Sequence, residues 1–156
     1  MQSEPEAYEV LKTLLTVQHL AVVATRMEVY PYASLVAFAA SGDLRRITFV
    51  TMRATTKYRN ISADPNVSVL IDSRTHSVED FTAAAAVTAI GKVTELEGEA
   101  SEPTVEHFLQ KHPHMEAFVR SPSTALCSVN VEKYYLVTRF QHVVEMDTAQ
   151  WSSLNP

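Results

Sequence analysis

Near the start of the chain, apolar residues recur at helical spacing at Ala7, Val10, Leu11, Leu14 and Leu15. Ser3 and Glu6 stand ahead of them as a capping box, so the pattern predicts an amphipathic helix from Glu4 to about Gln18. From His19 to Arg26 the residues turn β-type around Leu20, Val22 and Val23. Pro31 reads as a turn, Tyr32 to Ala40 as a second strand, and Ser41-Gly42-Asp43 as a hairpin into a third strand from Ile47 to Met52. Thr55 can cap a short helix that Asp64-Pro65 stops, and Asn66 to Leu70 is again a strand. Beyond Asp72 the pattern loosens. Ser77 to Asp80 could cap a helical turn, and alanines 83 to 86 fit helix or strand equally. Val87 to Leu96 alternates as a strand, with Gly91 as a bulge or a point of close approach. Glu102-Pro103 opens a helix to about Lys111 that buries Val105, Phe108 and Leu109; His112-Pro113 ends it, and Glu116 to Arg120 is one further turn. Ala125 to Val131 and Tyr134 to Met146 read as two closing strands. Successive antiparallel strands with helices at the periphery predict a mainly β fold, a six- to seven-stranded antiparallel split β-barrel with a few short helices.

Composition narrows the function classes. A chain of 156 residues makes one domain, with 1–18 as an N-terminal helix and 148–156 as a C-terminal tail. With 46% apolar and 20% charged residues it is neither disordered nor membrane-spanning, and apolar runs such as Ala83 to Val87 are far too short for a bilayer. The acidic first residues carry no hydrophobic signal region, and a single cysteine, Cys127, allows no internal disulfide; both suit a cytoplasmic protein. A net charge of -5 argues against general nucleic-acid binding. Three glycines (Gly42, Gly91, Gly98) exclude a glycine-rich phosphate loop, so any phosphate must be held by side chains and a helix end.

Arg53, Thr55, Thr56 and Lys57 crowd the strand-to-helix junction after Thr51, where hydroxyls, cations and free helical N–H groups suit a phosphate. A plain solvated cap would show the same local residues. The order of the whole stretch goes further. Thr51, Thr55, Lys57, Asn60, Ile61 and Asp64-Pro65 resemble the flavin-mononucleotide-binding split barrels related to pyridoxamine 5′-phosphate oxidase. Upstream, Pro31 to Phe38 is similar to that family's strand along the isoalloxazine ring. The resemblance runs from about Leu14 to Leu96, and more faintly to Met146. It implies FMN as cofactor, held by Arg53, Thr55, Thr56 and Lys57 at the phosphate, with Ser34, Leu35, Val36, Val50, Thr51 and Met52 near the ring. It also implies a homodimer with flavin sites across its interface.

Departures from the oxidase matter as much. The motif's usual Arg is Thr56, so Arg53 would supply the second positive group. Ala39 stands where the oxidase has a substrate-contacting Lys, and a flavin-contacting Gln falls near Ala86. The resemblance therefore implies a flavin oxidoreductase acting on some other small substrate, with a nicotinamide as a conceivable donor. The alternatives are a flavoprotein for electron transfer, storage or sensing, or a haem- or deazaflavin-binding relative. No catalytic residue is assigned. His107, His112 and His114, near Glu106 and Glu116, match no standard metal spacing and are expected to be solvated. Cys127 is expected to be a buried structural thiol. Ser34, His142 and Asp147 make a triad only on paper, with no nucleophile elbow. Trp151 reads as a tail residue or as an aromatic lid over a partner's flavin.

Overall fold

The computed structural model describes residues 3–139 and 141–153, without the side chains of residues 152 and 153. Its elements are α1 (Glu4–Val17), β1 (Leu20–Met27), β2 (Tyr30–Ala40), β3 (Arg46–Met52), α2 (Thr56–Ala63), β4 (Asn66–Asp72), α3 (Asp80–Ala83), β5 (Ala86–Leu96), α4 (Glu102–Lys111), α5 (Glu116–Val119), β6 (Thr124–Thr138) and β7 (His142–Asp147). Short 3₁₀ turns at Glu99–Ser101, Pro113–Met115 and Thr148–Ser153 complete them. The strands hydrogen-bond in the order β3-β2-β1-β4-β5-β6-β7, and β3 pairs with β6. Six antiparallel strands thus close a barrel, with β7 attached to the far half of β6.

Most boundaries follow from local chemistry. Ser3 and Glu6 form the capping box of α1. Gly91 sits where the β5–β6 register slips, Ile90 facing Lys133 and Gly91 facing Val131. A Cβ there would stand 2.1 Å from the Asn130 carbonyl oxygen, so only glycine lets the strands close. Two expectations are corrected. Pro31 is inside β2, opposite Arg26, because this end of β2 pairs only with β1 and needs no N–H on its other side. The last strands divide after Thr138, not before Tyr134, making β6 one fifteen-residue strand that closes the barrel with its first half and carries β7 on its second.

Two cores result. The main one joins the barrel interior, including Phe38, Phe49, Val69 and Cys127, to the α1 stripe of Ala7, Leu11, Leu14 and Leu15. The second lies outside the barrel, where Ala39, Val50 and Leu126 pack under Val105 and Phe108 of α4. This double cover buries β3 continuously from Ile47 to Thr51. Among the described residues no helix is long and apolar enough to cross a membrane.

Candidate functional site

Strand β3 delivers Thr51 and Met52 into a tight turn before α2. Thr55 caps that helix, accepting from the Tyr58 N–H at 3.2 Å and donating to the Met52 carbonyl at 2.9 Å. Thr51 Oγ1 lies 3.0 Å from Thr55 Oγ1 and accepts from Lys57 Nζ at 3.3 Å. Thr56 Oγ1 accepts from Arg59 at 3.3 Å. The N–H groups of Thr56 and Lys57, first in the helix, have no intrahelical carbonyl to bond. Lys57 is half-buried, and burial holds its ammonium below the usual lysine range. Among the described residues no carboxylate pairs with it.

Arg53 has a different role from the one its sequence position suggests. Its guanidinium donates to the carbonyls of Pro122 at 2.8 Å and Thr124 at 3.0 Å, and to Glu95 Oε1 at 2.7 Å. Tyr58 donates to the other Glu95 oxygen at 2.9 Å. Glu95 therefore ties the turn to Tyr58, the residue whose N–H Thr55 caps, and the positive charge of Arg53 is already matched. Asn60 secures the other end of the helix, its buried amide donating to Thr25 Oγ1 of β1 at 3.0 Å. Sequence reasoning had no signal for Glu95, which reaches the site from 42 residues away.

Residues Ser34, Leu35 and Val36 are not hydrogen-bonded to this cluster, but their strand borders it. Strands β2 and β3 pair at three positions only, Phe38–Phe49, Ala39–Thr48 and Ala40–Ile47. Continuing that register would set Val36 against Thr51 and Leu35 against Met52, yet the ladder stops. The barrel is split between these two lips, each paired on its far side, to β1 and to β6. Ser34 is half-buried, Val36 buried, and Leu35 67% exposed on the outer face. Val50 turns its side chain away, into the core under α4.

Other candidates resolve into structure. Burial pushes the Cys127 thiol up to about 12, so it stays protonated at neutral pH. His142 Nε2 is buried with no hydrogen-bond partner among the described residues, so it is no base for Ser34. His107 and His114 are exposed, but His112, expected to be solvated, is buried and its Nε2 lies 2.7 Å from the Phe38 carbonyl. Among the described residues no group of three or more His, Cys, Asp or Glu could hold a metal ion. Trp151 is 6% exposed, stacked on Tyr134 and edge-on to Tyr8. It is neither loose tail nor lid.

Comparison with curated proteins gives no significant match. Solved structures share the fold: a haem-binding protein from Mycobacterium smegmatis (TM-score 0.84, 18% identity, 97% of this chain and 62% of that one), an FAD-binding protein from Mesorhizobium loti (0.67, 19%, 83% and 90%) and the haem storage protein HutZ from Vibrio cholerae (0.67, 17%, 89% and 96%). The sequence pattern described as pyridoxamine 5′-phosphate oxidase matches residues 8–138, most of the barrel, so the chain belongs to the pyridoxamine 5′-phosphate oxidase family.

Proposed function

We propose that the chain binds FMN and serves as an oxidoreductase for a small substrate other than pyridoxamine phosphate. The observation that carries this reading is the split between β2 and β3, which opens beside the half-buried Lys57, a lysine with no paired carboxylate among the described residues. Two unpaired backbone lips can flank a flat ring, and a cation beside free helical N–H groups suits a phosphate. The two features adjoin at the β3–α2 turn, which supports this reading. Lys57, the Thr56 hydroxyl and the Thr56 and Lys57 N–H groups would hold the phosphate. Ser34, Leu35 and Val36 on one lip, and Val50, Thr51 and Met52 on the other, would flank the ring. Thr55 and Arg53, both engaged within the protein, would shape the junction. Bound FMN would supply the electron transfer, with the protein providing position and charge.

The outer face of the sheet supports a homodimer. Leu35, Val22, Leu70, Thr88 and Tyr135 are register neighbours in one row across β2, β1, β4, β5 and β6. Among the described residues this row belongs to neither of the two cores that the helices cover, and a second copy would close it beside the split. Lys57→Ala removes one charge-assisted contact, which corresponds to a roughly ten- to hundredfold loss of FMN affinity in a fluorescence titration. An unchanged affinity would refute the phosphate site. A purified protein showing a Soret band, and indifferent to added FMN, would replace flavin with haem.

A further inference from the structure

A second polar site lies at the opposite end of β3. Between the start of β3, the middle of β6 and the first turns of α4 is a cleft of about 220 Å³, lined by Ser41, Arg46, Thr48, Thr104, His107 and Ser128 among others. It is smaller than the usual pocket for a drug-sized ligand. Thr48 and Ser128 are direct cross-strand partners and so share the outer barrel face. The next pair on that face, Val50 and Leu126, is sealed under α4. Thr48 and Ser128 are thus hydroxyls where packing alone favours apolar residues.

Ser128 carries the inference. It is 2% exposed, it lines the cleft, and its hydroxyl has no hydrogen-bond partner among the described residues. Buried hydroxyls are ordinarily bonded, so this one points to a missing partner. The surrounding groups define that partner's chemistry. Arg46 has no carboxylate within ion-pair distance among the described residues. Asp43, which feels its charge, accepts from Ser41 at 2.6 Å and from the Arg45 N–H at 3.1 Å. His107 is oriented by its Nε2, 2.7 Å from the Ala40 carbonyl; that oxygen can only accept, so Nε2 carries the proton. Glu102, in the first turn of α4, is paired with Arg120, and its N–H donates to the Glu99 carbonyl, so the helix start adds neither a free carboxylate nor a free first N–H. A guanidinium and several hydroxyls together favour an acceptor-rich anion.

We propose that this cleft binds a small oxyanion, a phosphate or carboxylate group, on Arg46 and the Thr48 and Ser128 hydroxyls. The site is independent of the flavin reading: six residue steps at about 3.3 Å place Arg46 roughly 20 Å along β3 from Met52.

The test is a titration of the full chain with inorganic phosphate, and in parallel with acetate, at constant ionic strength, followed through backbone amide signals. Saturable shifts at Thr48, Thr104 and Ser128 are expected from at least one anion, with or without FMN present. Arg46→Gln should weaken that binding at least tenfold, and Lys57→Ala should leave it unchanged. Ser128→Ala should weaken it without lowering the melting temperature, because it removes an unpartnered hydroxyl. The proposal is overturned if chloride moves the same amides equally, if Arg46→Gln binds as tightly as the parent, or if the shifts gather around Lys57. FMN that fails to bind while these shifts persist would refute the flavin reading alone.

Discussion

The far end of α2, the helix that carries Lys57, is held to β1 by a buried hydrogen bond between neutral side chains, Asn60 to Thr25. Asn60 and Thr25 are 6% and 3% exposed, so water cannot replace either partner. Asn60→Ala removes a bond worth about 1 kcal/mol net and leaves the Thr25 oxygen short of a donor, for a total of about 2 kcal/mol. For a domain of this size that lowers the melting temperature by roughly 4–8 °C. Thr25→Val should cost a similar amount, since it strands the Asn60 amide. In the double variant neither group is left waiting, so the losses should fall short of additivity by about 1 kcal/mol. Urea unfolding of the four proteins measures this coupling. FMN affinity should fall in both single variants, because α2 must then be ordered when the phosphate binds. Strict additivity, within about 0.3 kcal/mol, would refute the claim that this bond anchors the helix. So would single variants that unfold like the parent.

Two further outcomes follow from the fold. Gly91→Ala would drive a Cβ to 2.1 Å from the Asn130 carbonyl oxygen, forcing β5 and β6 apart at the bulge; a loss of about 3 kcal/mol in urea unfolding is expected, and a neutral result would contradict the close approach. His112 is held below the ordinary imidazole value of 6.5, chiefly by burial, with Lys111, His19 and His114 adding repulsion against the hydrogen bond to Phe38. The unfolded chain therefore takes up this proton first as pH falls. The stability His112 contributes is complete above pH 6.5 and is lost as pH drops through the lower folded value. His112→Gln, which can still donate to the Phe38 carbonyl, should flatten the fall of the urea midpoint below pH 6.5; an unaltered slope would sink the assignment.

What the sequence alone determined is whatever is decided within a few residues. The capping box of α1, the Thr55 cap, the stop at Asp64-Pro65 and the glycine at the bulge all rest on local backbone chemistry, and all are found in place. The cluster of Thr51, Thr55 and Lys57 was legible for the same reason, since one turn and one helical step bring them together. Tertiary structure decided the partners. Glu95 claims Arg53 from 42 residues away, Phe38 claims His112 from 74, and Tyr134 donates to the Leu44 carbonyl across 90. Trp151 became core because Tyr8 and Tyr134, from opposite ends of the chain, meet beside it. The split between β2 and β3 and the pairing of Thr48 with Ser128 are likewise properties of register around a closed barrel. A strand's own residues state which side chains alternate, but not which strand edge lies opposite or where the pairing stops.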